Sequence, residues 1–438
     1  MNSRTLYILT AFVIIFIILY YFSDIKAKVL SKFEQKEEIV IKDKIVKKRR
    51  KKYEYSAKKD IRMTEECPTV NILGYSDFLD LYKDEKFVLK FRESIIRSAR
   101  AKITRYSKIK AEITKSTVKS DDDRIGSSHL SKDFISMIDK IINLAKEFQD
   151  ISLDNVRDRL NRVIYGNNGL DSLVGRDDMK NFISLIIITF ARNPESFYDQ
   201  FNNMIIMGPS GCGKTKLAMS IGESLSVCGI LIRNKFSYIT KGDITTAYVN
   251  ESGKLTRKAL IESLESVIFL DEAYDLSSKG FGRDHSDEVI TEIINFLDKY
   301  IGLNIVIFAG YEDRIKKDLL PMNEGIDRRF PHKFVLNNYS SEDLTSILVG
   351  QLEIKSINVD KDIHSLIYSV VRQLDDQQLF DKQAGDILNL CGYITSSFYG
   401  SSWDKSSEEL NPESLIDGVN QYLVSKQSSV FIDKDQEF

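Results

Sequence analysis

The feature that most constrains this chain is a glycine-rich turn, Gly208–Thr215, which directly follows an apolar run, Met204–Met207. Short, continuously apolar runs are typical of strands buried on both faces, so the pattern predicts a strand that enters a turn and then a helix. Glycines allow the turn to curl until its backbone N–H groups face inward, and the amino end of the next helix adds positive partial charge. This is the context of a phosphate-binding loop.

Each residue of this turn has an expected role toward a nucleoside triphosphate. Lys214 is long enough to reach the β- and γ-phosphates, and the Thr215 hydroxyl is suited to ligate Mg²⁺. The alternative is a glycine turn that joins an unrelated strand and helix. The predicted nucleotide-binding residues of the turn are Gly208, Pro209, Ser210, Gly211, Cys212, Gly213, Lys214 and Thr215.

Two adjacent acidic residues follow a second apolar run. Asp271 and Glu272 come directly after Val267–Leu270. Because the carboxyl ends of parallel strands meet at one edge of a sheet, we expect both carboxylates to lie near the glycine-rich turn. Asp271 is suited to hold Mg²⁺ through its water shell, and Glu272 to orient and polarise the water that attacks the γ-phosphate. The pair predicts nucleotide hydrolysis rather than binding alone.

The overall composition argues against other kinds of site. The chain has 438 residues, of which 62 are basic and 64 acidic, so no net field attracts nucleic acid. Its four cysteines are scattered and are expected to be free thiols of a reducing compartment. The four histidines have no metal-ligand spacing. The metal that the sequence predicts is therefore the Mg²⁺ that accompanies the nucleotide.

The amino terminus carries an uncharged apolar segment, Leu6–Phe22. As a helix it would extend about 26 Å, nearly the thickness of a bilayer core, so we expect an uncleaved membrane anchor; a cleaved signal peptide is the alternative. One arginine precedes the segment and several lysines follow it. The positive-inside rule then predicts a single-pass membrane protein whose nucleotide-binding part lies on the cytosolic face.

A stretch rich in lysine and arginine, residues 26–59, follows the predicted anchor. Next to a membrane helix, such a stretch is expected to attract anionic lipid headgroups. A nuclear-localisation or nucleic-acid-binding patch is one alternative, and a solvated helix face is the other.

Hydrophobic periodicity divides the rest of the chain into three parts. Residues 75–111 and 132–164 have helical spacing, and the polar stretch Thr114–Ser131 is predicted to be a loop. From Gly169 onward, short apolar runs alternate with helical patterns, which indicates a parallel α/β sheet. The predicted strands are Met204–Met207, Ile230–Ile232, Val267–Leu270 and Ile305–Ala309. The predicted helices of a smaller carboxyl-terminal domain are Ser341–Glu353, Asp360–Leu374 and Asp381–Phe398.

These patterns predict six regions in order. They are a transmembrane anchor (1–25), a basic juxtamembrane segment (26–62), a helical amino-terminal region with a polar linker (63–168), an α/β core (169–337), an all-helical lid (338–426) and a tail (427–438). The expected fold class is therefore α/β, with a parallel sheet flanked by helices and followed by a small helical domain.

Residues 169–400 resemble the AAA+ ATPases, and more narrowly the CbxX/CfxQ group that includes the red-type Rubisco activases. Four segments carry the resemblance: GPSGCGKT (208–215), FLDEAYDL (269–276), IVIFAGYEDRI (305–315) and NEGIDRRF (323–330). The predicted anchor and residues 23–168 lie outside it.

The resemblance implies roles for residues that spacing alone does not assign. Val174 and Gly175 take the position that contacts adenine, and Tyr311 takes that of the polar sensor residue after the fourth strand. The lid arginine of the family falls on Gly385. The arginine finger, which acts on a neighbouring subunit, falls on Arg329, with Arg328 as second candidate, and the pore-loop pair that grips a polypeptide falls on Tyr248 and Val249.

The resulting hypothesis is a membrane-anchored AAA+ ATPase that binds ATP and Mg²⁺ and assembles with itself, and the resemblance implies a ring of six subunits. Hydrolysis would remodel, extract or disassemble a protein or protein complex. A nucleotide-gated membrane scaffold or assembly switch is the main alternative, because the lid arginine is absent. A nucleic-acid-handling ATPase is suggested only by the basic run, so nucleic acid is not an expected partner.

Overall fold

The computed structural model describes residues 73–119, 125–197, 200, 202–244, 251–277, 283–400 and 409–426. Side chains are not described for residues 116–119, 125–130, 196 and 283–287. The chain divides into two units, Met1–Ile72 and Leu73–Phe438, and every described residue belongs to the second.

The predicted membrane location is corrected. Among the residues that the structure describes, no helix is both long and apolar enough to cross a bilayer. The prediction depended on Leu6–Phe22, and both this segment and the basic residues 26–59 lie outside the described part of the chain. A single-pass anchor therefore has no support in the structure.

The first described elements are helices. Ser152 caps the fourth of them by accepting a hydrogen bond from the Asn155 N–H at 3.2 Å, a contact that stabilises a helix by about 1 kcal/mol. The four helices are α1 (Tyr75–Leu81), α2 (Glu85–Lys119), α3 (Ile125–Glu147) and α4 (Leu153–Tyr165).

The predicted loop Thr114–Ser131 is largely wrong, since α2 continues to Lys119 and α3 begins at Ile125. The two helices pack along each other, and an ion pair at 2.6 Å joins Lys110 to Asp139. The packing of α2 against α3 stabilises a helical conformation in a polar stretch whose own residues favour turns.

Five parallel strands form the central sheet, in the order β2-β3-β4-β1-β5. The three inner strands are buried along their whole length, as expected for a sheet covered on both faces. This confirms the predicted parallel α/β core. The strands are β1 (Met204–Met207), β2 (Phe236–Ile239), β3 (Val267–Leu270), β4 (Ile305–Gly310) and β5 (His332–Val335).

The predicted strand Ile230–Ile232 is wrong, although its residues are buried. After a helix that ends at Val227, the chain turns through Gly229, and the N–H groups of Ile230 and Leu231 both bond to the Leu225 carbonyl. The apolar run closes the end of that helix, and β2 begins only at Phe236.

Helices connect the strands and cover both faces of the sheet. They are α5 (Asp177–Arg192), α6 (Lys214–Val227), α7 (Lys241–Ile244), α8 (Ser252–Glu262), α9 (Arg283–Lys299), α10 (Glu312–Arg314) and α11 (Gly325–Arg329). A π-helical turn, Ile315–Leu319, follows α10.

The amino-terminal helices share their hydrophobic core with the sheet. Phe91 and Ile95 of α2 belong to the same buried cluster as Ile206 of β1 and Phe269 of β3. The Lys102 ammonium group, itself buried, pairs with the fully buried Glu265 carboxylate next to β3 and donates to the Ile230 carbonyl at 2.8 Å. These helices are therefore built into the α/β core.

The carboxyl-terminal helices enclose a separate core. Capping side chains begin three of them, namely Ser340, Asp360 and Asn411, each of which accepts an N–H three residues ahead. The core includes Leu348 and Leu390. The described helices of this lid are α12 (Ser341–Ile354), α13 (Lys361–Asp376), α14 (Ala384–Gly400) and α15 (Pro412–Ser425), which confirms the predicted helical carboxyl-terminal region.

Candidate nucleotide site

The glycine-rich turn lies between β1 and α6, as predicted. Gly211 and Gly213 have φ values of +72° and +89°, in the left-handed region that glycine adopts without strain. The helix begins at Lys214, directly after Gly213, so its free N–H groups are at the turn. The Gly208 N–H bonds to the Gly310 carbonyl at 3.1 Å, which fixes the start of the turn to the end of β4.

Lys214 is held inside this turn by backbone carbonyl groups. Its Nζ donates to the carbonyl oxygens of Gly208 at 2.9 Å and Pro209 at 2.7 Å. It also lies 5.5 Å from the ring centroid of Tyr311. Among the described residues no carboxylate pairs with Lys214, so its charge is available to an anionic ligand of the turn.

The two predicted acids lie at the carboxyl end of β3. Asp271 is half-buried and Glu272 is exposed. Glu272 has a φ of +48°, and its carbonyl accepts the Asp275 N–H at 2.7 Å. A non-glycine residue in this region costs about 1–3 kcal/mol and is typical of functional positions. The chain leaves the strand direction after β3, and Glu272 is exposed at this edge of the sheet.

Three tyrosines surround these acids. The Tyr238 hydroxyl donates to Asp271 Oδ2 at 3.4 Å, and burial followed by the Asp271 charge raises the pKa of Tyr238. Burial and then the nearby Glu272 charge raise the pKa of Tyr274 to about 12. The ring of Tyr274 lies 6.2 Å from that of Tyr311. Tyr238 and Tyr274 therefore stay protonated at neutral pH and can donate hydrogen bonds.

A cavity of about 350 Å³ opens beside the acids, between the ends of β2 and β3. Its lining mixes a lysine with acidic and apolar residues. The lining residues include Tyr238, Thr240, Lys241, Asp271, Glu272 and Asp275.

The lid lies directly against the glycine-rich turn. A Cβ atom added to Gly211 would lie only 1.8 Å from the Lys382 carbonyl oxygen, so the lid backbone occupies the space beside this residue. On the other side of the turn, the predicted adenine-contacting residue Gly175 faces Asp343 of α12, since a Cβ there would lie 2.5 Å from the carboxylate. Val174 precedes it and is half-buried.

The two candidate finger residues lie at the opposite edge of the sheet. The Asn203 side chain donates to the Arg329 carbonyl at 2.9 Å, and Asn203 immediately precedes β1, whereas the glycine-rich turn follows it. The four residues of β1 separate these edges, a distance of about 13 Å at about 3.3 Å per residue. Arg328 and Arg329 are therefore remote from the phosphate-binding turn of their own chain.

The residues present fit a nucleoside triphosphate with Mg²⁺. The turn supplies left-handed glycines, a helix amino end and a lysine that donates to backbone carbonyl oxygens, and the sheet edge adds two carboxylates. Oxygen ligands of the Asp271 and Thr215 type are those that Mg²⁺ prefers. The predicted pore-loop residues Tyr248 and Val249 lie outside the described residues.

Comparison with known proteins agrees with this geometry. Residues 204–334 match the model of the family described as ATPase family associated with various cellular activities (AAA). This match covers less than a third of the chain, and over these residues the chain is similar to AAA ATPases. The prediction of an ATP-hydrolysing enzyme is thereby confirmed, and so is nucleotide binding at the level of the family.

Curated relatives include CfxQ-like proteins. A putative cfxQ-like protein of Acanthamoeba polyphaga mimivirus is 27% identical over 239 residues, which is 55% of this chain and 56% of that protein. The chloroplastic ribulose bisphosphate carboxylase/oxygenase activase of Cyanidioschyzon merolae is 31% identical over 147 residues, 33% of this chain and 47% of that protein. The chain thus matches about half the length of these two relatives.

Among solved structures, the FIGL-1 AAA domain in complex with ADP matches with a TM-score of 0.41 and 18% identity, over 60% of this chain and 85% of that one.

Sequence reasoning missed several residues around the candidate nucleotide site. Arg176 and Tyr339 lie against the glycine-rich turn, and Tyr238 contacts Asp271. Arg176 directly follows the Val174-Gly175 pair, which is the one local signal that could have drawn attention to it. Tyr339 and Tyr238 lie outside the motifs, so only the fold brings them to the site.

Proposed function

We propose that this protein is an oligomeric AAA+ ATPase that hydrolyses ATP at sites shared between subunits and uses the energy to remodel a protein or protein complex. The observation that carries the proposal is the strained Glu272 at the carboxyl end of β3. It stands beside Asp271 at the same sheet edge as the glycine-rich turn.

Each residue then has a defined task. The turn Gly208–Thr215, which includes Lys214, binds the phosphates. Thr215 and Asp271 hold Mg²⁺, and Glu272 accepts a hydrogen bond from the attacking water and orients it. Tyr311 directly follows β4 beside the turn and is 42% exposed, so its hydroxyl can donate to a phosphate or to that water.

The location of the arginines supports a site shared between subunits. A cation that stabilises charge on the transferred phosphoryl group must reach it, and Arg328 and Arg329 lie at the wrong edge of their own sheet to do so. In a head-to-tail ring, this edge of one subunit can face the turn of the next. A ring of six subunits is the assembly that the family resemblance suggests.

The client is proposed to be a polypeptide rather than a small molecule. Tyr248 and Val249 belong to the segment between α7 and α8. In the chain, this segment follows β2, and the end of β2 lines the cavity beside the acids. An aromatic residue followed by an aliphatic one can grip many different side chains by apolar contact. Hydrolysis at the acids could in this way move a segment that contacts a client.

Steady-state ATP turnover by Glu272→Gln and by the wild type is the first test. We expect turnover to fall by at least about 100-fold in Glu272→Gln while affinity for ATP is retained, because only water orientation is lost. Absence of turnover in the wild type would contradict the proposal and favour a nucleotide-gated assembly switch.

Mixing two inactive variants tests whether sites are shared. Lys214→Ala removes phosphate binding but keeps the finger, whereas Arg328→Ala/Arg329→Ala keeps phosphate binding but removes both candidate fingers. Random co-assembly in a head-to-tail ring pairs an intact turn with an intact finger at about one quarter of the interfaces, so about a quarter of wild-type turnover should return. No recovery, with co-assembly verified by differently tagged subunits, would count against a shared site.

A further inference from the structure

Arg176 is a buried cation that directly contacts the phosphate-binding turn. It is the amino-terminal cap residue of α5, and only 7% of it is exposed. One amino group of its guanidinium, Nη2, donates to the Cys212 carbonyl of the turn at 2.9 Å. Proteins seldom bury arginine without a compensating charge, so the surroundings of this group require an explanation.

No carboxylate supplies that compensation among the described residues. The two acids that follow Arg176 in the chain have other partners: Asp177 pairs with Lys180 at 3.5 Å, and Asp178 accepts the Met179 N–H at 2.9 Å. Two further hydrogen bonds of the guanidinium go to the carbonyls of Asn337 and Gly175. Its Nε is buried with no hydrogen-bond partner.

The same guanidinium also contacts the lid. Its central carbon lies 4.0 Å from the ring centroid of Tyr339, within the range of a cation–π interaction. Asn337, which accepts a second bond from Nη2 at 2.9 Å, lies in the segment that joins β5 to the lid. Arg176 therefore touches three parts of the molecule: the phosphate-binding turn, the connecting segment and the lid.

Tyr339 continues this chain of contacts. Its hydroxyl lies beside Gly213, where an added Cβ would be only 2.4 Å away. Its N–H donates to Gln383 Oε1 at 3.0 Å, and Gln383 immediately precedes α14. A continuous path thus runs from Cys212 and Gly213 of the turn, through Arg176 and Tyr339, to the start of a lid helix.

We infer that Arg176 is a positioning residue that couples nucleotide at the glycine-rich turn to the position of the lid. The charge of Arg176, which no carboxylate pairs with among the described residues, is balanced by the anionic nucleotide bound at the adjacent turn. When nucleotide binding shifts Cys212, the planar guanidinium group of Arg176 transmits this shift to Tyr339. The lid helix α14 has glycine at position 385, so no cation at that residue can perform this coupling. The inference rests on the proposed ATPase function.

Amide hydrogen exchange of the full-length protein, with and without Mg²⁺–ADP or Mg²⁺–ATPγS, tests the inference. In the wild type, nucleotide should slow exchange in α12 and α14 of the lid. Arg176→Met should remove this response and weaken binding of a fluorescent ATP analogue by about tenfold, which corresponds to about 1.4 kcal/mol. Arg192→Met is the matched control, because Arg192 is an exposed residue at the other end of α5 and should change neither measurement.

Two further variants separate coupling from simple structural support. Arg176→Lys keeps the charge but not the fork, so it should recover most of the nucleotide affinity and still lack the lid response. Tyr339→Leu removes the lid partner of Arg176 and should also abolish the lid response. The double variant Arg176→Met/Tyr339→Leu should lose no more of the lid response than either single variant. Tyr339→Leu also provides the test if Arg176→Met does not fold.

The possible failures are distinguishable. A wild-type protein that binds no nucleotide overturns the proposed function, and this inference with it. Normal nucleotide binding together with an unchanged lid response in Arg176→Met and Tyr339→Leu overturns the role of Arg176 alone.

Discussion

Arg329 and Asp298 of the same chain form a two-point ion pair. The Arg329 Nε donates to Asp298 Oδ1 at 2.8 Å, and Nη2 donates to Oδ2. A third donor, Nη1, bonds the Gly325 carbonyl at 3.1 Å, which ties the side chain to the start of its own helix, α11. Arg328, by contrast, is exposed, and no ion pair of Arg328 occurs among the described residues. The sequence resemblance favours Arg329 as the finger, whereas this geometry favours Arg328 as the side chain that can reach a neighbour.

The first prediction separates the two arginines by ATP turnover. Arg328→Ala should lower turnover by at least about 100-fold with ATP affinity retained, because a finger acts on the transition state. Asp298→Asn should lower turnover only several-fold, since it loosens α11 without removing the reaching group. Asp327→Asn is the control, because Asp327 lies exposed on the same helix and its ion pair is with Lys333 of β5. A larger loss in Asp298→Asn than in Arg328→Ala would instead assign the finger role to Arg329.

The same ion pair gives a prediction for pH. Hydrogen bonding from Arg329 lowers the pKa of the Asp298 carboxyl below its ordinary value. A lowered folded-state pKa stabilises the protein above the unfolded value, about 3.9, and this stabilisation is lost as the pH falls through the folded value. The difference in free energy of unfolding between the wild type and Asp298→Asn should therefore stay constant from pH 7 to about pH 5 and shrink only below that. Urea unfolding at several pH values measures it, and a difference that already shrinks between pH 7 and pH 6 would contradict it.

A third prediction concerns Lys102 and Glu265, which join α2 to the sheet. The Glu265 carboxylate also accepts hydrogen bonds from the Tyr106 hydroxyl at 3.0 Å and the Ile232 N–H at 3.2 Å, and burial lowers the pKa of Lys102. Lys102→Met leaves a buried acid without its cation and should destabilise the protein by about 3–5 kcal/mol. The double variant Lys102→Met/Glu265→Gln should be more stable than Lys102→Met, because no unpaired charge remains.

Chemical denaturation followed by circular dichroism measures these differences. Lys110 lies on the same helix as Lys102 and forms a half-exposed pair with Asp139 of α3, so Lys110→Met is the control and should cost less than about 1 kcal/mol. Equal destabilisation by Lys102→Met and Lys110→Met would show that the buried pair has no special role.

Features of the fold that depend on neighbouring residues were predictable from the sequence, whereas those that depend on contacts between distant residues were not. The glycine-rich turn and the acids after β3 were predictable, because consecutive residues specify a strand that ends in a turn or a carboxylate. The burial of Lys102 against Glu265 was not, since 163 positions separate them and an isolated lysine in a basic helix reads as solvent-exposed. For the same reason, the sequence placed residues 63–168 in a region of their own, whereas α2 packs into the core of the sheet.

In the candidate site, too, residues in local motifs were predictable and contacts between distant residues were not. Lys214 and Glu272 follow from local motifs, but the contacts of Arg176 depend on where the lid and the connecting segment lie. The preference for Arg328 over Arg329 likewise depends on Asp298, a residue of α9 that no motif links to α11. The apolar run Ile230–Ile232 was misread for a related reason, because burial alone does not distinguish a strand from the buried end of a helix.

The final prediction compares glycines on the two sides of the contact between the turn and the lid. Gly211 has a φ of +72°, and an added Cβ would lie 1.8 Å from the Lys382 carbonyl oxygen, so Gly211→Ala must strain the turn and displace the lid. Gly385 lies in α14, where a Cβ would meet only the Cβ of Lys382 at 3.6 Å, an ordinary contact. Gly211→Ala should therefore weaken nucleotide binding by more than about tenfold, or about 1.4 kcal/mol. Gly385→Ala should leave binding unchanged and stabilise the lid helix by up to about 1 kcal/mol. Isothermal titration with ADP and thermal unfolding measure the two effects, and equal affinities of the two variants for ADP would show that the lid does not press on the phosphate-binding turn.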